Sequence, residues 1–561
     1  MAITVSEYLV QRFVDLGIDR AFGIPGDFPF PILDAIDDSP SMQWVGCVNE
    51  LNAAYSADGY ARRRGAGLLC TTYGVGEISA LNGLMGSKAH RVPVFLVVGA
   101  PCRRIVRQKL STYHCFGDGV YGNHEAVVEA ACCIKVVLTP DNAIAEIERA
   151  IQVALTHCEP AYIVVPQDVG ASPVVGMVSP GAHLSTISRV VSNPAELEAA
   201  TKAILKRLES ASRPVLLPSA LTARYGLSDK VQQLITRANI PFVLAPLDKG
   251  FLDEGQPQFL GMYLGAQSTP KGLQQVVEGS DLVLDLGGHV NEHLNTGFWT
   301  SRIPEAVHIR VHDSWVQIGS HVFVDVAMGD LLDRLIAAPP KQDAAPIAAM
   351  SYDPMPIVGL PSEPTGSTGF FPRLQRLLRT DDLLVVEAGS CEVSLLLMRL
   401  PAGVRAEAQV LWSSIGWAGA AAMGIAMAEP SRRVVLVSGD GAHQQTMGAI
   451  ASMGFHGVKP IVFVLNNGAY GCENTQWKPG RHRYNDIAPI RYSLLPEAFG
   501  CSDWISRQVC TIGELDEAMA VVERHPEQAA YIEVMIPASE NVPLPEAVLD
   551  MLYKLKTPSD A

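Results

Sequence analysis

The 561-residue sequence is short of positive charge: 43 lysines and arginines stand against 58 aspartates and glutamates, a net charge of −15. That deficit works against non-specific attraction to nucleic acid or to an anionic membrane, so neither is expected as a partner. A long apolar run is missing too. The longest weakly polar stretch, Trp417 to Ala428, is rich in Gly and Ala and falls short of the ~18 residues a membrane span needs. The opening MAITVSEYLVQRFVDLG carries Glu7, Arg12 and Asp15 where a signal peptide keeps its apolar core, and it reads as a helix. No two cysteines are spaced Cys-x-x-Cys, so the eleven cysteines suggest neither a zinc site nor a disulfide framework. A cytoplasmic protein with reduced thiols is expected. No repeat of short fixed period is visible, which sets aside solenoids and propellers. No GxGxxG opens a helix after a strand with an acidic residue about 20 positions on, so NAD is not expected.

What is present is a balance of 48% hydrophobic and 18% charged residues, that of an ordered globular body long enough for three or four domains. Short apolar runs closing in Gly, Pro or Asp alternate with helical stretches, the mark of parallel α/β sheets. Gly67–Thr72, Val92–Val98 and Ala161–Val165 are expected strands of an N-terminal domain over 1–180. Pro214–Leu217, Pro241–Ala245, Leu282–Leu286 and Ala306–Val311 belong to a middle domain over 195–338. A proline-rich linker covers 339–369. Leu383–Glu387, Val434–Ser438, Ile461–Leu465 and Tyr531–Met535 are expected in a C-terminal domain over 370–561. The fold class is α/β, three doubly wound parallel-sheet domains.

The strongest local signal is the strand Val434 to Ser438 running into Gly439-Asp440-Gly441 and then a helix-like segment. Such a turn exposes backbone N–H groups at a helix start, where a phosphate is held. A second strand, Ile461 to Leu465, runs into Asn466-Asn467, so two strand ends can face one ion. Magnesium takes hard oxygen ligands and binds through one or two protein groups plus a phosphate; Asp440, Asn467 and the backbone carbonyl of Ala469 would supply three.

With these residues the chain resembles the thiamine-diphosphate enzymes, whose signature is Gly-Asp-Gly followed by Asn-Asn, and within them the pyruvate, indolepyruvate and phenylpyruvate decarboxylase branch. Phe22-Gly-Ile-Pro-Gly-Asp27, the run from Asn49-Glu50 to Arg62, the run from Thr71 to Gly83, and Trp412-Ser-Ser-Ile-Gly416 all resemble that branch, in its order. The resemblance implies an N-terminal pyrimidine-binding domain, a Rossmann-like middle domain and a C-terminal diphosphate- and magnesium-binding domain. It implies decarboxylation of a 2-oxo acid to an aldehyde and CO2 through a carbanion-like enamine. Glu50 stands where the family keeps the glutamate bonded to the pyrimidine nitrogen, which makes the cofactor's own exocyclic nitrogen a base for its carbon-bound proton. Ile415 matches the residue that props the cofactor in its bent shape. Thr72, Ser390, Ser413, Gly441 and Ala442 join Asp440 and Asn467 in the implied cofactor set. Asp27, His114 and Glu473 match the acid–base set.

The sequence departs from this branch at several points. Relatives carry two adjacent histidines where this chain has Tyr113-His114; a phenol, with a pKa of about 10 against about 6.5 for imidazole, is a poor proton shuttle near neutrality. Ser413 replaces a usual Gly. In the implied substrate pocket, Cys472 and Gln476 stand where pyruvate-specific members carry apolar branched residues, with Ala388 and Glu392 facing them and Leu294 in the same wall. The pocket reads as roomier and more polar, for a 2-oxo acid larger than pyruvate with a polar or cationic end.

A carboligase making an acyloin is the nearest alternative, strengthened by Tyr113. A flavin-containing synthase fits less well. A non-catalytic cofactor-binding paralogue is a third reading, against which Glu50, Asp440, Asn467 and Ile415 speak. The resemblance also implies a homodimer or dimer of dimers with Glu50 and Asp440 of one site on different subunits.

Overall fold

Residues 3–176, 190–288, 293–339, 350, 353–473, 482–538 and 540 are described in this computed structural model. The first unit is a six-stranded parallel sheet built from β1 (Arg20–Gly23), β2 (Gln43–Gly46), β3 (Gly67–Thr72), β4 (Val94–Ala100), β5 (Ile134–Val137) and β6 (Ala161–Pro166). The strand order is β2-β1-β3-β4-β6-β5. Every residue of β4 is buried, as a strand with helices on both faces requires.

The middle unit holds β7 (Pro214–Pro218), β8 (Phe242–Leu244), β9 (Phe259–Met262), β10 (Leu282–Leu286), β11 (His308–Val311), β12 (Trp315–Ile318) and β13 (His321–Val324). Its order is β13-β12-β11-β10-β7-β8-β9. This sheet is not wholly parallel: β12 runs antiparallel to both β11 and β13. Only Gly319 and Ser320 separate β12 from β13, with Gly319 at φ +61°, and so short a turn can reverse a chain but not cross over it.

The third unit contains β14 (Leu383–Val386), β15 (Arg405–Glu407), β16 (Val434–Gly439), β17 (Ile461–Asn466), β18 (Ile505–Val509) and β19 (Ala530–Met535), all parallel, in the order β15-β14-β16-β17-β19-β18. Its first helix, Ser367–Leu377, begins inside the stretch read as linker, and Thr365 N–H already donates to the Cys510 carbonyl at 2.9 Å. Among the described residues no helix is long and apolar enough to cross a membrane.

One hydrophobic core runs through the first and third units, the third unit has a second on its other face, and the main core of the middle unit takes only Leu396 from outside it. The seam is a helix pair, Glu50–Arg64 against Trp417–Ala428. Small residues let the backbones touch: a Cβ on Gly424 would sit 1.8 Å from the Ser56 carbonyl oxygen, and one on Gly59 2.2 Å from that of Ala421. Inside the seam the buried Asp58 carboxylate accepts from Arg62 Nε at 2.7 Å, Ser87 Oγ at 2.8 Å and Trp417 Nε1 at 2.9 Å. The charge is therefore paired and hydrogen-bonded, the condition under which a buried carboxylate is tolerated.

Candidate active site

At the end of β16 the chain turns through Gly439 into the helix Asp440–Thr446. Asp440 is buried, and its carboxylate accepts from Gly441 N–H at 2.8 Å and Gly468 N–H at 2.7 Å. Burial nonetheless pushes its pKa up to about 6 against the pull of these backbone donors. β17 ends beside it. Asn466 is drawn away, its Nδ2 donating to Glu533 Oε1 at 2.7 Å, whereas the Oδ1 of Asn467 accepts a longer 3.2 Å bond from Ala469 N–H. Glycine keeps the space open: a Cβ on Gly471 would lie 2.6 Å from Asn467 Nδ2, and one on Gly441 2.7 Å from the Tyr470 ring.

These residues line a cavity of about 320 Å³ between the middle and third units. Asp440, Gly441, Ala442, Asn467 and Ala469 form its floor; Ser390, Ser413 and Ile415 lie on one wall. Ala388, Glu392, Cys472 and Glu473 reach it from the third unit and Leu294 from the middle one. Ser390 Oγ and Cys472 Sγ meet at 3.2 Å, and Glu392 is buried. Gln476 lies outside the described residues. The cavity also takes Gln267 and Phe298 of the middle unit, and Glu540, whose Oε1 accepts from Ser367 N–H at 2.7 Å. None of these three carried a sequence signal, since a lone Gln, Phe or Glu reads as ordinary surface or core. Among the described lining residues the charged side chains are all acidic: Glu392, Asp440, Glu473 and Glu540. Ser413 sits at φ +52°, a left-handed conformation that costs a non-Gly residue about 1 kcal/mol, which accounts for the Gly usual at this place.

Asp27, Glu50, Thr72, Tyr113 and His114 do not line that cavity; they gather on the N-terminal unit. Glu50 opens the helix Glu50–Arg64 behind the N-cap Asn49. Its carboxylate faces Gly76, where a Cβ would lie 3.3 Å from Glu50 Oε1 and 3.2 Å from Thr72 Cγ2. Thr72 Oγ1 is buried and has no hydrogen-bond partner among the described residues. An orphaned hydroxyl and a glycine notch beside a carboxylate are what a bound heteroaromatic ring would complete. The paired oxygens of Asp440 and Asn467 likewise suit a hard divalent cation beside a phosphate. The residues present therefore fit both groups that the family resemblance implies.

Tyr113 donates its hydroxyl to Asp27 Oδ2 and packs on Phe28, ring centroids 5.3 Å apart. Its backbone carbonyl accepts from the Tyr73 hydroxyl, and the neighbouring His114 takes φ +65°. A Cβ on Gly74 would lie 2.3 Å from the His114 carbonyl oxygen, so only glycine fits under this turn. Gly74 is itself tied down, its N–H donating to the buried Glu77 Oε1 at 2.7 Å. Tyr162 donates to the other oxygen of Glu77, and His124 Nε2 lies 3.3 Å from Oε1.

Burial pushes Glu77 up to about 7 from its usual 4.5, against the pull of Tyr162, the Gly74 N–H and Lys135 and with a smaller push from Glu125. An acid raised in the fold holds its proton better there than in the unfolded chain. The stability it carries is present in full below about 4.5 and lost as pH rises through about 7. His124, lowered by burial, has the opposite sign. The unfolding free energy of the protein minus that of Glu77→Gln is therefore expected to fall by about 3 kcal/mol between pH 4.5 and 7, and the melting-temperature difference with it. Parallel melting profiles across that window would remove Glu77 as a buried titrating group.

Sequence comparisons agree with this layout. Residues 3–118 match the family described as thiamine pyrophosphate enzyme, N-terminal TPP binding domain; 201–336 its central domain; and 388–534 its C-terminal TPP binding domain. The chain is 33% identical over 544 residues to the alpha-keto-acid decarboxylase of Mycolicibacterium paratuberculosis, covering 96% of this chain and 95% of that protein. It is 32% identical over 546 residues to pyruvate decarboxylase isozyme 2 of Saccharomyces cerevisiae, covering 95% and 96%. An X-ray structure from Mycobacterium smegmatis, of a protein assigned to the thiamin diphosphate-dependent enzymes, superposes with a TM-score of 0.74 at 21% identity, over 96% of this chain and all of that one. At that identity the superposition speaks for the fold alone.

Proposed function

Because the chain belongs to the thiamine-diphosphate-dependent 2-oxo acid decarboxylase family, we infer that it converts a 2-oxo acid larger or more polar than pyruvate into an aldehyde and CO2. The observation that carries the substrate assignment is the cavity where Asp440 and Asn467 share walls with Ile415, Glu392 and Cys472. Bound thiamine diphosphate supplies a carbon nucleophile and a sink for the electron pair left when CO2 departs. The chain's own residues hold, orient and protonate. Asp440, Asn467 and the Ala469 carbonyl would hold magnesium against the diphosphate, with Gly441 and Ala442 at the helix start beside it. Thr72 and Ser390 would offer hydroxyls to the bound group, and Ile415 would pack against it. Glu50 would hold a proton at the pyrimidine nitrogen. Asp27, His114 and Glu473 would deliver the proton that completes the aldehyde.

Asp27, Glu50 and His114 lie apart from the cavity of their own chain, so a complete site needs the N-terminal unit of a second copy. The apolar surface around them supports this: Phe30, Val75 and Phe116 are 51%, 53% and 76% exposed. We therefore read the protein as a homodimer or dimer of dimers. The eleven cysteines are all free, which supports a reducing, cytoplasmic setting.

The test is CO2 release with product identification by mass spectrometry over aliphatic, aromatic, polar and cationic 2-oxo acids, with and without thiamine diphosphate and magnesium. Cofactor-dependent CO2 with stoichiometric aldehyde is expected, fastest on a substrate larger or more polar than pyruvate. Glu392→Gln should lower kcat/KM for polar or cationic substrates ~10-fold relative to pyruvate. Equal turnover by Glu392→Gln would overturn the substrate assignment, and absence of CO2 from every acid the activity itself. Tyr113 bonded to Asp27 favours one further outcome: acyloin in place of aldehyde makes the enzyme a carboligase.

A further inference from the structure

Glu387 follows the last residue of β14 and is fully buried. One carboxylate oxygen accepts from Ala388 N–H at 3.2 Å and the other from Ala418 N–H at 3.2 Å, and Gly416 N–H also bonds to it. Burial pushes its pKa up to about 7, while these three donors pull it down. A carboxylate carried into a dry interior and then faced only by backbone donors is costly where an apolar residue would pack as well.

Its donors belong to two different working segments. Ala388 starts the loop to Ser390 and Glu392 on the cavity wall. Gly416 follows Ile415 and caps the helix Trp417–Ala428 at φ +93°. The carbonyl of Gly416 accepts from Thr446 Oγ1 at 2.5 Å, and Thr446 ends the helix that Asp440 begins. Gly416, next to Ile415, is thus gripped through its N–H from the start of the substrate-side loop and through its carbonyl from the diphosphate-side helix. Further back, Ser414 Oγ is held by Tyr55 at 2.7 Å and Asn82 at 2.8 Å, from the N-terminal unit.

Resting on the functional reading above, we propose that Glu387 is a positioning residue: by joining the Ala388–Glu392 loop to the Ile415–Gly416 turn, it sets the height of Ile415 and so the bend imposed on the cofactor. A carboxylate suits this task because one group accepts from donors on both segments. A glutamine in its place turns an amide N–H₂ toward one of those N–H groups and frees one segment.

The experiment uses Glu387→Gln and Glu387→Asp in the full chain. Three quantities are read: the melting temperature of the apoprotein, the affinity for thiamine diphosphate with magnesium from tryptophan fluorescence, and the deuterium exchange rate at the thiazolium carbon of bound cofactor by NMR. Glu387→Gln is expected to slow exchange at least ~10-fold while changing cofactor affinity less than ~3-fold, with Glu387→Asp between it and the parent. Exchange at the parent rate in Glu387→Gln overturns the proposal, whatever the melting temperature does, because a helix-capping role alone moves stability and not exchange. If Glu387→Gln does not fold, Glu387→Asp is read by the same criterion. A parent protein that binds no thiamine diphosphate instead defeats the functional reading, which separates the two failures.

Discussion

Glu50→Gln is expected to cut cofactor-dependent CO2 release by ~10²- to 10⁴-fold, the span lost when a positioned proton-transfer group is removed. A glutamine keeps the size of the side chain and can still donate an amide N–H to a ring nitrogen, but that proton is too weakly acidic to be transferred. Cofactor affinity should therefore change far less than turnover. The Gly76 notch and the Thr72 hydroxyl remain, and the helix start keeps its Asn49 cap, so the fold should be indifferent to the change. The measurement is steady-state CO2 release beside a titration of thiamine diphosphate. Turnover within tenfold of the parent would strip Glu50 of its role.

The second large effect is a rescue. Asp440→Asn should be as inactive as Glu50→Gln, because it weakens the oxygen set facing the diphosphate. If one site draws Glu50 from one subunit and Asp440 from the other, a hybrid of the two dead chains contains one site with both faults and one with neither. Equal co-expression makes half of the dimers hybrid, so about a quarter of the parent activity should return. Activity no higher than that of the two variants purified apart would mean that both residues serve a site within one chain. That would contradict the separation of Asp27, Glu50 and His114 from the cavity lined by Asp440 and Asn467.

Much of this candidate site is legible in the sequence. An apolar strand ending in Gly439-Asp440-Gly441 admits few local structures, and the helix that follows begins at Asp440. The strands of the three sheets stood out where both faces are buried, as in β10, which matches its expected bounds residue for residue. Short strands such as the internal β1 and the edge strand β15 did not, because Arg20–Gly23 and Arg405–Glu407 carry charge and little periodicity. The middle-unit hairpin was missed for a different reason: a Gly-Ser pair between two four-residue runs offers too little pattern to separate antiparallel from parallel. Harder still are features made by distant pairs. Nothing about Tyr113 in sequence says that its hydroxyl meets Asp27, and nothing about Glu387 says that its carboxylate meets donors from two loops. The strain at Ser413 was visible only as an odd replacement for Gly until its φ gave the cause.

The close helix seam between the first and third units has a consequence for how the chain comes off the ribosome. Helix Glu50–Arg64 is made early, yet its partner Trp417–Ala428 follows about 350 residues later. At ~5–20 residues per second that interval lasts ~20–70 s, during which the small-residue face, with the Asp58 carboxylate and Arg62 set into it, has nothing to close against. The middle unit, with a core of its own, can finish folding inside that wait. The nascent N-terminal third is therefore the stretch that a holding chaperone would need to shield, and heterologous expression should respond most to slowing or speeding translation across the middle unit.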